Sequence, residues 1–363
     1  MVVPANNFVG HSSINHAHYS PPFCRGPPLP PGFDTDDRWA WWMKQILTPL
    51  IVAIGIGGNC LSFIVMKTRS WRHKSYSHFL CALAVFDSLT LINREILLVH
   101  ELRIYAGDSG VYAGFSDVAC SIHNFYEHMC YLMSSWLIVC MAMERVVAVY
   151  FPLRKAFLCT PNGAVIVILV LIMLLTYTQV FRFFMVGKID DKCVALTDYL
   201  TVYTSLHVYL YQFTLIFILP VAIVLTCNIF VLFKIYRVMK PRSPNGSTLS
   251  RSRRNVAKTH KTTLMLLTIS FVYVITLFPS VVVSIVVHVA IATGYKGMRE
   301  LFMRISPLTH LFELCSDLNY CSNFFIYILS GKLFRYELRR IFAIERSTAL
   351  TATTKGRDEI ALV

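Results

Sequence analysis

Seven stretches of this chain are predominantly apolar over roughly twenty residues or more, which narrows what it can fold into. They run over Lys44–Met66, Tyr76–His100, Ala119–Tyr150, Ala164–Val186, Thr204–Tyr236, Val256–Ala292 and Leu301–Leu329. A helix of about 20 apolar residues matches the hydrocarbon thickness of a bilayer. Inside lipid an open chain can satisfy its backbone N–H and C=O groups only as a helix. The expected fold class is therefore all-α, a seven-transmembrane helix bundle. Only 15% of the residues are charged, against about a quarter in soluble domains. So little polar surface cannot cover the chain in water. Several runs exceed bilayer thickness and should tilt or project. Pro49, Pro220 and Pro279 fall inside them, where neighbouring helices can absorb a kink.

Charge placement gives the orientation. The first, third and fifth loops and the C-terminal tail together carry more than twice as many Lys and Arg as the N-terminal tail and the other loops. The positive-inside rule then puts the N-terminus outside and the C-terminus in the cytoplasm. The net charge of +14 sits in short loops, which suits an anionic membrane face and not nucleic acid. Residues 1–44 are polar and Pro-rich, without a basic segment leading into an apolar one, so the first span would serve as the targeting signal. The sequon Asn245-Gly246-Ser247 falls in a loop placed in the cytosol. Beyond Gly331, Leu333, Phe334, Leu338, Ile341 and Phe342 recur at helical spacing against a basic face. That pattern predicts a short amphipathic eighth helix on the inner leaflet. The division is a tail over 1–43, a membrane domain over 44–329, the amphipathic helix over 330–343 and a cytoplasmic tail over 344–363.

Charged groups inside spans are costly and are functional candidates by default. Asp87, Arg94, Glu95, Glu127, Glu144, Arg145, Glu313 and Asp317 are of this kind. Glu127 precedes Arg145 by five whole turns, so the two share a face roughly 27 Å apart. Glu313 lies roughly 21 Å above Tyr327 on one face of the last span, with Asp317 a turn deeper. Arg94 has nearly the bundle-facing azimuth of Asp87, whereas Glu95 is rotated about 100° away. Two arrangements follow. One is an acidic outer cavity for a cationic ligand group such as a peptide arginine. The other is an internal Arg94–Glu127 or Arg94–Glu313 ion pair.

Ordered motifs then become specific. They are Gly58-Asn59, Leu83-Ala84-Val85-Phe86-Asp87, Cys120, Glu144-Arg145-Val146 followed by Pro152-Leu153, Pro220, Phe278-Pro279 and Asn323-Phe324-Phe325-Ile326-Tyr327. This set resembles rhodopsin-like (class A) G-protein-coupled receptors. Asn319-Tyr320-Cys321-Ser322-Asn323-Phe324-Phe325-Ile326-Tyr327 resembles invertebrate neuropeptide receptors of the FMRFamide, myosuppressin and sex-peptide group. The resemblance implies an extracellular peptide ligand, a heterotrimeric G protein, arrestin and a receptor kinase as partners. It implies Glu144, Arg145 and Tyr327 as the coupling residues and a disulfide between Cys120 and Cys193. It also implies a structural sodium ion held by Asp87, Ser134, Asn319 and Asn323, and no other cofactor.

The chain departs from the family pattern at Phe324 for proline, Leu277 for tryptophan, Asn228 for tyrosine and Thr259 for an acid, and its fourth span has no tryptophan. Arg251, Arg253, Arg254, Lys258 and Lys261 cluster before the sixth span and are candidates to meet membrane lipid or the G protein. Ser347, Thr348, Thr351, Thr353 and Thr354 are candidate kinase sites. Ala361-Leu362-Val363 is a candidate strand for a PDZ groove. Cys24 is left over as an odd extracellular thiol, and Asp190, Asp191 and Asp198 are candidate steering acids. An opsin would need a lysine where Asp317 stands. A biogenic-amine receptor remains the alternative within the fold, and a transporter would show repeats that are missing here. Nothing in the sequence forms an enzyme motif.

Overall fold

The computed structural model describes residues 39–151, 153–189, 192–239, 247–293 and 297–343. Cys24, Pro152, Asp190, Asp191, Asn245 and the expectations for 347–354 and 361–363 lie outside these residues. So do the side chains of Thr259, Arg251, Arg253, Arg254, Lys258 and Lys261.

Among the described residues seven long helical segments form the bundle. They are α1 (Trp39–Met66), α2 (Ser75–Tyr105), α3 (Asp117–Tyr150), α4 (Pro161–Gln179), α5, α6 (Ser247–Ala292) and α7 (Met298–Ser330). α5 is compound: Leu200–Ser205 and Leu219–Met239 are α-helical, and Leu206–Ile218 between them is wound as a π-helix. Its wider turn shows in Thr214, whose hydroxyl donates to the carbonyl of Tyr209 five residues back. Trp136 of α3 donates Nε1–H to the Leu215 carbonyl at 2.9 Å, tying that segment to the bundle. α3 runs through the middle, packed against α2, α4, α5 and α6, while α1 packs on α2 and α7.

The expected ends move where caps decide them. α3 starts at Asp117 because Ser116 accepts from the Ala119 N–H, and α4 starts at Pro161 because Thr160 accepts from the Gly163 N–H. The fourth span was expected to continue to Val186. The regular helix stops at Gln179 and a separate turn covers Arg182–Met185, so the apolar segment itself reaches Met185. The cause is the Val180 N–H, which reaches only the Tyr177 carbonyl and tightens the last turn. The loop that follows is not featureless. Val186–Ile189 (β1) and Lys192–Ala195 (β2) pair antiparallel, a small addition to an otherwise helical fold.

Five of the segments are long and apolar enough to cross a membrane: Trp39–Met66, Asp117–Tyr150, Pro161–Met185, Thr197–Arg237 and Met265–Val287. α2 and α7 have the length, at 31 and 33 residues, but carry the charges discussed below. The buried core joins Leu80, Leu83, Leu132, Met133, Leu137, Val224, Ile269, Tyr273 and Tyr327. Ile54, Ile166, Met173, Leu174, Ile229 and Ile275 are exposed, an apolar exterior that water would not tolerate. Trp41, Trp42 and Tyr105 cluster at the outer ends of α1 and α2, where interfacial aromatics belong.

After Gly331 a further helix, α8, covers 332–343. Phe334 is fully buried, Leu338 and Ile341 pack on the core, and Leu333 and Phe342 stay exposed. The apolar stripe is thus split between bundle and exterior. Glu337 is buried as well, accepting from Ser70 of the first loop at 2.5 Å.

Two departures from the family pattern acquire a reason. Phe324 replaces proline, so α7 runs unbroken there. A Cβ on Gly58 would lie 2.9 Å from the Phe324 Cβ, so only glycine lets the aromatic ring seat against α1. Asn228 lines the same inner recess as Arg145, together with Ala142, Val231, Leu266, Leu267 and Ser270.

Candidate functional site

Polar side chains gather at three levels. At mid-depth Asp87 is fully buried. Its Oδ1 accepts from Ser134 Oγ and its Oδ2 from Asn323 Nδ2, each at 2.6 Å. Asn319 is buried on the same helix as Asn323 but makes no hydrogen bond to Asp87 among the described residues. Asn59, also buried, donates to the Tyr320 carbonyl at 3.1 Å, joining α1 to α7. A carboxylate with hydroxyl and amide oxygens fits the demands of a hard cation.

At the inner end Arg145 and Glu144 are both buried, with Nη2 donating to Oε1 at 3.2 Å. The guanidinium lies over the Tyr76 ring, 4.6 Å from its centroid, a stacking that stabilises a desolvated cation. Tyr327 is buried too, but it faces Phe334 of α8 at 5.5 Å and forms no hydrogen bond with Arg145 among the described residues.

The outer level departs from the expected ion pairs of Arg94. Arg94 pairs with neither Glu127 nor Glu313. Its Nε lies 2.8 Å from Asp317 Oδ1, and its guanidinium sits 5.2 Å over Tyr131. The reason is depth: Asp317 lies a turn below Glu313 on α7, nearer to Arg94. Glu313 instead meets Lys44 at 2.7 Å, and Lys44 also binds Glu101 at 3.0 Å. One α1 lysine thereby ties α2 to α7. His310 lies 3.9 Å from the same Glu313 oxygen. Glu127 is half-buried and in no ion pair among the described residues. Glu95 is half-buried off this network, and its Oε2 is enclosed without a partner among the described residues.

The lid over this level is held in place by sulfur and backbone. Cys120 and Cys193 are joined, with their Cα atoms 5.0 Å apart. Ser121 Oγ donates to the Val186 carbonyl at 2.6 Å, and Asp117 accepts from the Lys188 N–H at 2.8 Å. The hairpin is therefore fastened along the first turn of α3.

Sequence reasoning passed over Lys44, Glu101 and Arg182. Lys44 stands at the edge of the expected first span, although the aromatic run Trp39-Ala40-Trp41-Trp42 marks an earlier interface. Arg182 lay inside the expected fourth span and met the same test as the other buried charges.

Residues 58–327 match the family described as 7 transmembrane receptor (rhodopsin family). A FMRFamide peptide receptor of Caenorhabditis elegans, frpr-18, is 32% identical over 140 residues, covering 37% of this chain and 32% of the relative. The galanin-like G-protein coupled receptor npr-9 of the same organism is 28% identical over 131 residues, covering 36% and 29%. The FMRFamide receptor of Drosophila melanogaster is 25% identical over 322 residues, covering 85% of this chain and 54% of the relative. The matches thus span between about a third and about half of these relatives' lengths. With the family pattern spanning most of the chain from α1 to α7, the protein belongs to the rhodopsin family of seven-transmembrane receptors.

Proposed function

We propose that the protein is a G-protein-coupled receptor for an extracellular neuropeptide, inserted in the plasma membrane with its N-terminus outside and its C-terminus in the cytoplasm. The observation that carries the ligand class is the charge balance of the outer level. Lys44 and Arg94 are paired with Glu101, Glu313 and Asp317, while half-buried Glu127 is in no ion pair among the described residues. Both cations are already engaged, so Glu127 remains for a cationic group of the ligand. Peptide receptors among the relatives support the same reading.

Ligand binding would compete for Glu313 and Glu101 and loosen the Lys44 bridge between α2 and α7. In the same reading Asp87, Ser134, Asn319 and Asn323 hold a sodium ion that stabilises the resting state. Release of Arg145 from Glu144, with Tyr327 turning inward, opens the inner recess to a heterotrimeric G protein. The recess lined by Asn228, Leu266 and Ser270 supports that step. Arrestin and a receptor kinase act on the cytoplasmic face after activation.

The test is a synthetic library of amidated peptides, applied to cells expressing the receptor with a promiscuous G protein. A basic peptide is expected to give a concentration-dependent response that Glu127→Lys weakens by about a hundredfold, on the order of 3 kcal/mol. A response to amines with none to peptides would replace this reading with the amine receptor.

A further inference from the structure

Arg182 is completely buried, with no acid beside it among the described residues. Its Nε donates to Gln179 Oε1 at 2.8 Å, and Nη1 donates to Asn124 Oδ1 and to Tyr203 OH, each at 2.9 Å. Nη2 lies 3.1 Å from His207 Nδ1. The rings of Phe181, Tyr203 and Tyr211 surround it at 4.9, 5.7 and 4.7 Å from the guanidinium carbon. Every partner is neutral, and among the described residues Arg182 is in no ion pair. A buried cation held only by neutral groups is an expensive arrangement, since burial of a charge is ordinarily compensated by an opposite charge.

The hydrogen-bond inventory shows what this site lacks. A guanidinium carries five N–H donors, and the four contacts above leave one Nη2 hydrogen without a partner among the described residues. Arg182 can only donate, so His207 Nδ1 must accept, which places the proton of a neutral imidazole on Nε2. His128 takes the other tautomer, since its Nδ1–H donates to the Asn124 carbonyl at 2.7 Å. The cluster is therefore rich in donors and short of acceptors. Its place is also telling. Asn124 lies one turn of α3 below Cys120, which holds the hairpin, so the site sits just under the outer lid. It occupies the α3–α4–α5 side of the bundle, opposite the acidic cluster of α1, α2 and α7.

We infer that Arg182, with His207 and Asn124, is the receiving site for an anionic group of the ligand, so that the receptor selects a dipolar ligand. Its cationic end meets Glu127 and its anionic end replaces Asn124 Oδ1 on the guanidinium. This rests on the receptor reading above. A carboxylate, sulfate or phosphate would each engage the fork in two parallel bonds.

The experiment needs neither the natural ligand nor a signalling readout. Thermal unfolding of the purified full-length protein in detergent is followed with benzoate, benzenesulfonate, phenyl phosphate and neutral benzamide at equal ionic strength. At least one anion, at about ten times its Kd, is expected to raise Tm by about 3 °C, and benzamide is not. Which anion acts identifies the acidic group. Arg182→Gln should abolish the shift, and Arg182→Lys, which keeps charge but loses the fork, should reduce it. A wild-type protein that answers anions no better than benzamide overturns the inference. So does an unchanged anion shift in either variant. If Arg182→Gln does not fold, the wild-type contrast and the lysine variant decide alone, because a merely structural arginine would give no anion-selective shift. A peptide screen that fails while the anion shift persists would count against the peptide reading only.

Discussion

Arg145 and Asp87 show how a single buried charge is kept. Arg145 has its neighbour Glu144 and the Tyr76 ring, and Asp87 has two hydrogen-bond donors from different helices. The proposed switch requires that each arrangement be exchangeable for another. Arg145→Ala should leave ligand affinity nearly unchanged while G-protein activation falls by about a hundredfold. Radioligand binding and nucleotide exchange on the same membranes check this, and intact exchange would remove Arg145 from the switch. For Asp87, the melting temperature of the purified protein should be higher in sodium chloride than in choline chloride, with the difference gone in Asp87→Ala. Equal sodium sensitivity in both proteins would leave no role for the carboxylate in holding the ion. These residues were legible in sequence because an isolated charge in an apolar run stands out. Tyr327 was legible as a residue but not in its packing, since the contact with Phe334 belongs to the position of α8.

Among the elements, α2 and α7 are the ones composition alone would least readily place in a membrane. Their charges are tolerated because they meet partners on other helices, Arg94 with Asp317 and Glu313 with Lys44. Removing one partner leaves the other charge buried alone. Arg94→Met should therefore destabilise the bundle by about 3 kcal/mol, and adding Asp317→Leu should recover most of it. Melting curves of the purified single and double variants test this. Additive losses would show that the pair is not coupled. Periodicity and charge revealed that these helices exist and which face is inward. They did not reveal which acid each cation takes, because that depends on relative depth between helices, and a shift of one turn moves a side chain by about 5.4 Å. The π-wound stretch of α5 was invisible for a similar reason. Its residues are as apolar as the rest, and the winding depends on the packing that Trp136 helps to fix.

For the molecule as a whole, the Cys120–Cys193 bridge closes a loop with a sequence separation of 73 residues and seats the hairpin over the outer site. Cys193→Ser should lower stability by about 2–5 kcal/mol and reduce the amount of protein reaching the cell surface. Surface labelling together with melting of the purified variant measures both, and undiminished values would make the hairpin's backbone bonds sufficient. The seven helices and the family followed from the sequence alone, because lipid demands long apolar helices and because short motifs keep their order along the chain. The tertiary structure decided the rest: Lys44 as the link between α2 and α7, Asp317 as the partner of Arg94, and Arg182 as a buried cation held by Gln179, Asn124, Tyr203 and His207. Each of these is a distance between helices that neither period nor composition encodes, since it arises only when seven helices have settled against one another.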